Sequence, residues 1–122
     1  MRTIGLLASI LPLAFLSWGC YYDHEEALYP QTACDTSNVT FSGTVQPLFQ
    51  SNCTQCHNSV SPSGSIDLSS YQSVVAAVNT GRLLGAINHE QGYSPMPKNT
   101  DKLGDCPIMQ ITLWINQGMP DN

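Results

Sequence analysis

Apolar residues recur at helical spacing in several segments of the chain, whereas runs that suggest strands are few. The segment 40–50 predicts a short helix that begins near Ser42 or Thr44, with Pro47 in its first turn. The missing N–H of proline does no harm there, because the first N–H groups of a helix have no partner within it. The residues that this helix turns inward are Val45, Leu48 and Phe49.

A second stretch of helical spacing follows residue 68. We expect Ser69 or Ser70 to cap it, because a serine hydroxyl accepts the unpaired N–H groups of a first turn. Gly81 interrupts the pattern before 82–87, which predicts a kinked pair or two short helices. The apolar positions before the glycine are Tyr71, Val74, Val75 and Val78.

The last predicted helix is capped by Asp105, has Pro107 in its first turn and ends at Gly118. Its apolar stripe comprises Ile108, Ile111, Trp114 and Ile115. Together these segments predict an all-α domain of three to five short helices.

The N-terminal segment has the layout of an export signal. Arg2 is followed by the apolar run 4–19, which is shorter than the roughly 20 residues of a membrane-spanning helix. The small Gly19 before Cys20 resembles the lipobox cut by bacterial lipoprotein signal peptidase. We therefore expect residues 1–19 to be a lipoprotein signal peptide and Cys20 to carry the lipid. An ordinary secretory signal is the alternative.

Residues 20–38 are polar and acidic and have no sustained periodicity, which favours a tether. The folded domain is then expected at 39–122. This organisation predicts a lipid-anchored protein of the bacterial cell envelope, attached to the bilayer of the outer membrane.

Composition narrows the possible functions. Four basic residues against nine acidic ones give a net charge of -5, which excludes the basic patch that nucleic acid binding needs. Charged residues make up only 11% of the chain and hydrophobic ones 42%, so a compact fold is expected. At 122 residues, the chain has no room for a separate catalytic domain.

The five cysteines include the pattern Cys53-x-x-Cys56-His57, which is typical of covalent haem attachment. The two thiols add to the vinyl groups of the haem, and His57 then supplies an imidazole to the iron. A thioredoxin-like redox pair also uses two such cysteines, but it needs alternating strands and helices around it. A structural zinc site would need further ligands, and no second cluster of this kind follows.

A second axial ligand requires a soft thioether or another imidazole. Met96 lies between Pro95 and Pro97, in a stretch that is stiff and cannot be helical, so its side chain is the favoured ligand. His89 is the main rival and would give an iron with two histidine ligands. The weaker candidates are Met109, Met119 and His24.

These motifs resemble the small monohaem domains of the cytochrome c superfamily, particularly those appended to bacterial lipoproteins. The resemblance extends over about residues 39–118 and rests on the segments 41–49, 53–57, 94–97 and 113–118. It implies short helices wrapped around one covalent haem, with a distal ligand from a Met-Pro loop, here Met96. It also implies that the carbonyl of Pro62 accepts the Nδ1–H of His57.

Three other residues are candidates for the haem pocket. Arg82 and Tyr93 are possible partners of the haem propionates, because a buried carboxylate needs a donor or a counter-charge. The alternative is that both residues lie at the surface and do not contact the haem. Trp114 is expected to pack against the first helix near the haem edge.

Two cysteines remain once Cys20 carries lipid and the haem pattern takes its pair. They are Cys34 and Cys106, and an oxidising compartment would join them in a disulfide. A pair of free thiols is the alternative.

The sequence thus predicts an electron carrier with His57 and Met96 as axial ligands of one haem iron. It does not predict an enzyme, because both axial positions are filled by protein and no catalytic constellation is apparent. Transient docking to redox partner proteins is expected, with basic partners favoured by the acidic surface. A haem-based sensor with a displaceable Met96 is the alternative, and a structural lipoprotein that binds nothing is a third possibility.

Overall fold

The computed structural model describes residues 34–122. In this part of the chain it contains no strand and four α-helices: α1 (Gln46–Asn52), α2 (Tyr71–Asn79), α3 (Leu83–Ile87) and α4 (Asp105–Asn116). The predicted all-α class is therefore confirmed for the described residues. None of their helices has the length and hydropathy that a membrane span requires. The predicted signal peptide 1–19, the lipid-bearing Cys20, His24 and most of the tether lie outside the described residues.

The first helical stretch begins earlier than its sequence predicts. Thr40, rather than Ser42 or Thr44, is the N-cap, and its hydroxyl accepts a backbone N–H of the first turn. That turn, Phe41–Val45, is π-helical and leads directly into α1. Three donors at its start therefore find oxygen acceptors, because Asn122 also accepts the N–H groups of Phe41 and Ser42 through its side chain and its carbonyl.

The second stretch forms two short helices, as predicted. Ser70 caps α2 through a capping box, in which the side chains of Ser70 and Ser73 each bond the other's backbone N–H. Gly81 follows α2 with a φ of 72°, a conformation that favours glycine, and α3 then begins at Leu83.

The last helix starts one position away from its predicted cap. Gly104 is the N-cap of α4 and contributes no side-chain bond, whereas Asp105 is the first helical residue. Its carboxylate still lies in the first turn, where negative charge is favourable. The helix ends before Gly118, whose φ of 88° cannot continue it.

Trp114 of α4 lies at the centre of the core and is fully buried. Its ring centroid is 5.4 Å from that of Phe41 and 6.4 Å from that of Tyr71. Its Nε1–H donates to the carbonyl of Pro120, and the Tyr71 hydroxyl donates to the carbonyl of Met119. The segment after α4 is thereby fixed against the core. The other buried apolar residues are Val39, Phe41, Val45, Phe49, Leu68, Val74, Ala77, Ile87, Ile108 and Ile111.

The start of the described segment is joined to α4. The sulfur atoms of Cys34 and Cys106 are 2.03 Å apart, which is the disulfide that the sequence predicts. Close by, the side-chain amide of Gln110 donates to the carbonyl of Asp35 over 2.9 Å. These two links hold the end of the predicted tether against the last helix.

Candidate functional site

A cavity of about 580 Å³ lies among the turn after α1, the connection between α2 and α3, and the loop after α3. This volume falls within the range of about 300–1,000 Å³ that is usual for small-molecule and cofactor sites. The predicted site residues that line the cavity are Cys53, Cys56, His57, Arg82, Tyr93 and Met96. The fold therefore brings residues from distant parts of the sequence to one site.

A tight turn at the end of α1 holds the Cys-x-x-Cys-His pattern. Cys53 is the C-cap of α1, and its N–H donates to the carbonyl of Phe49 over 2.8 Å. The carbonyl of Cys53 in turn accepts the N–H groups of Cys56, at 3.1 Å, and of His57, at 2.9 Å. This turn places Cys53, Cys56 and His57 on the lining of the same cavity.

The imidazole of His57 is held by a backbone carbonyl, though not by the predicted one. Its Nδ1 lies 3.1 Å from the carbonyl oxygen of Ile66. The carbonyl of Pro62 instead accepts the N–H of Ser65 within the 3-10 turn Ser63–Ser65, and Pro62 is exposed and does not line the cavity. Because a carbonyl can only accept, Nδ1 donates this hydrogen bond, and in the neutral imidazole Nε2 then keeps the lone pair that a metal ion needs.

The two thiols of the pattern are free, with Cys53 half-buried and Cys56 exposed. Burial raises the pKa of the Cys53 thiol to about 11. A redox-active dithiol needs a thiolate, and its pKa is usually lowered by helix dipoles or cations. The environment of Cys53 is therefore unfavourable for the thioredoxin-like alternative.

Met96 is half-buried and lines the cavity through the loop that follows α3. Its backbone N–H donates to the carbonyl of Ala86 over 3.0 Å. The other two methionines of the described chain do not line the cavity. Met109 is 49% exposed on α4, and Met119 packs against the core beyond that helix.

His89, the rival axial ligand, does not line the cavity. It is exposed, and its Nε2 lies 3.1 Å from the carbonyl oxygen of Met96. His89 thus contacts the backbone of Met96, and of these two residues only Met96 lines the cavity.

The polar residues of the lining include two of the chain's four basic residues, Arg82 and Lys98. Tyr93 lines the same cavity, and its ring lies against the backbone of Gly85 in α3. Trp114 lies in the core and does not line the cavity, although it contacts Phe41 at the start of the first helical stretch as predicted.

Most of the other lining residues are not indicated as site residues by the sequence. Among them are Lys98, Asn99 and Thr100, which directly follow the Met-Pro dipeptide. The signal available in the sequence was their position in the same Gly-, Pro- and Asn-rich stretch as Met96.

Comparison with protein-family models, with characterised proteins and with solved structures finds no match to this chain. Within residues 34–122, no three side chains of His, Cys, Asp or Glu converge on a point where they could hold a metal ion. A structural zinc site needs four such ligands, so these residues do not form one. The donors on the cavity lining instead suit a covalent haem: two thiols, one imidazole with a free Nε2 and one thioether.

Proposed function

We propose that this chain binds one haem covalently in the cavity and transfers single electrons between partner proteins. The observation that carries the proposal is the shared cavity. Cys53, Cys56 and His57 line it from one segment, and Met96 lines it from a loop about forty positions further along the chain. If the Cys-x-x-Cys-His pattern had arisen by chance, we would not expect its residues to line a cavity of about 580 Å³ together with a methionine.

The turn after α1 would attach the cofactor. Each thiol would add its S–H across one vinyl group, forming an S–C bond and a C–H bond with no leaving group. His57 would ligate the iron through Nε2, because Ile66 already accepts its Nδ1–H. The same hydrogen bond raises the basicity of the imidazole and fixes the orientation of its ring.

Met96 would provide the second axial ligand. When bound, haem supplies an iron that takes up and releases one electron. An iron held by both His57 and Met96 would leave substrates no coordination site, which favours an electron carrier over an enzyme. Arg82 and Lys98, as cations on the lining, would neutralise the carboxylates of the cofactor.

The partners would be redox proteins that dock briefly and release quickly. The net charge of -5 favours basic partner surfaces, with association that weakens as salt is added. Acylated Cys20 would keep the domain at a lipid bilayer of the bacterial cell envelope.

The test uses the protein produced with a cytochrome c maturation system. We expect a denaturing gel stained for haem to show covalent haem, and the ferric spectrum to show the charge-transfer band of a Met-ligated iron. In Met96→Ala the covalent haem should remain and that band should disappear. Absence of covalent haem from the unsubstituted chain would overturn the proposal.

A haem-based sensor is the second candidate, since the segment around Met96 is exposed at Ser94, Pro95 and Lys98. In such a protein a small ligand would displace Met96. Adding carbon monoxide to the reduced protein at neutral pH separates the two functions, because a carrier keeps its Met-ligated spectrum and a sensor does not.

A further inference from the structure

The backbone of Met96 is tied at both of its polar groups to the end of α3. Its N–H donates to the carbonyl of Ala86 over 3.0 Å, and its carbonyl oxygen lies 3.1 Å from Nε2 of His89. Ala86 belongs to α3, and His89 follows two positions after that helix ends. The loop that contains Met96 is therefore hydrogen-bonded to α3 and to His89 just beyond it, and not only to its neighbours in sequence.

The hydrogen bond between His89 and Met96 has only one possible direction. The Met96 carbonyl can only accept, so Nε2 of His89 carries the proton and donates. His89 has a φ of 57°, a left-handed conformation that is uncommon for a residue with a side chain. Its own N–H donates to the carbonyl of Ala86 over 3.2 Å, so the same acceptor serves both His89 and Met96.

We infer that His89 is a positioning residue, whose donated hydrogen bond holds the Met96 backbone so that the thioether would stay available to the haem iron. This inference rests on the proposed haem in the cavity. A loop that is already ordered loses less conformational entropy when its side chain ligates a metal. His89 thus acts on the iron through Met96, instead of competing with it as a ligand.

Two substitutions of His89 separate the hydrogen bond from the unusual backbone conformation. In His89→Asn the side chain tolerates a positive φ, but its amide ends one atom short of the position of Nε2. In His89→Gln the amide nitrogen occupies the position of Nε2 and restores the donor. Gln91→Ala, at an exposed position in the same loop, is the matched control.

The measurement is the affinity of the ferric protein for free imidazole, which competes with Met96 for the iron. We expect His89→Asn to bind imidazole about two- to tenfold more tightly than the unsubstituted protein, the factor that one lost hydrogen bond gives. Its charge-transfer band should weaken in parallel. His89→Gln and Gln91→Ala should remain close to the unsubstituted protein.

Three other results of these measurements would contradict the inference, each for a different reason. Equal imidazole affinities in His89→Asn and the unsubstituted protein, or no recovery in His89→Gln, would show that the hydrogen bond does not position Met96. If the unsubstituted protein holds covalent haem without a Met band, and His89→Asn changes its spectrum, then His89 is itself the ligand. If no haem is attached at all, the proposed function fails, and this inference fails with it.

Discussion

Gly85 lies in α3 where the ring of Tyr93 closes against the helix. A Cβ atom added to Gly85 would lie 2.6 Å from two ring carbons and 2.7 Å from Cγ of Tyr93. No real Cβ contact is so short, so any side chain at this position must displace the ring. Because Tyr93 lines the cavity, the missing side chain of Gly85 affects the shape of that cavity.

We predict that Gly85→Ala lowers the free energy of unfolding, measured by denaturant titration of the haem-loaded protein. The clash with Tyr93 should cost about 1–3 kcal/mol, as overpacking usually does. Opposing it, alanine favours a helix over glycine by about 1 kcal/mol. We therefore expect a net loss of about 1 kcal/mol.

A double-mutant cycle tests this explanation. In the Tyr93→Ala background the clash is absent, so Gly85→Ala should raise stability instead of lowering it. Gly104→Ala is the control, because its added Cβ would meet only Pro107 at an ordinary 3.7 Å. The same sign for Gly85→Ala in both backgrounds would contradict the role assigned to Tyr93.

At the scale of single residues, the sequence predicts which side chains lie together at the site better than it predicts which group holds the His57 ring. Cys53, Cys56 and His57 are close in sequence, so one local turn is enough to bring them together. The acceptor of the His57 Nδ1–H depends on where the chain turns back. The turn Ser63–Ser65, which contains Gly64 at a φ of 62°, moves that acceptor from Pro62 to Ile66.

Among the secondary-structure elements, the first helical stretch depends on a residue far away in the chain. The N–H of Phe41 donates to Oδ1 of Asn122 over 2.8 Å, and the N–H of Ser42 donates to the Asn122 carbonyl, also over 2.8 Å. The Thr40 hydroxyl accepts the N–H of Gly43, and the Thr40 carbonyl accepts those of Thr44 and Val45. Asn122 therefore acts as a second cap for this helical stretch, from 81 positions away.

We predict that Asn122→Ala destabilises the domain by about 1 kcal/mol, the usual cost of losing a helix cap. Asn122→Asp is the matched variant, because a carboxylate can accept the same N–H and is favoured at a helix N-terminus. Denaturant titration of the three proteins checks this. Equal losses in both variants would show that the side-chain acceptor does not stabilise the helical stretch.

The sequence predicts where helices occur because their apolar spacing is local information. For the same reason it predicts a cap at Ser69 or Ser70, of which the structure shows Ser70, and the break at Gly81. The cap from Asn122 is a tertiary contact, and no local pattern indicates it. Local patterns therefore predict the start of the first helical stretch poorly: they place it near Ser42 or Thr44, whereas the N-cap in the structure is Thr40.

At the scale of the whole molecule, the disulfide closes a loop of the chain that contains all the residues of the candidate site. Cys34 and Cys106 are separated by 72 positions, and every residue that lines the cavity falls between them. Neither cysteine lines the cavity itself. The disulfide therefore restricts the unfolded chain without forming part of the site.

We predict that replacing both cysteines, in Cys34→Ala/Cys106→Ala, lowers the free energy of unfolding by about 4 kcal/mol, the chain-entropy estimate for a loop of this length. The loss should be similar with and without the proposed haem, because thioether bonds at Cys53 and Cys56 would close only a short loop of the unfolded chain, and a bond from Met96 to the iron would break on unfolding. The Met charge-transfer band should persist in the folded double variant, since neither cysteine lines the cavity. Denaturant titration with and without haem measures the first two effects and the ferric spectrum the third. A double variant that stays folded but lacks the Met band would show that the disulfide also positions the Met96 loop, contrary to this division between scaffold and site.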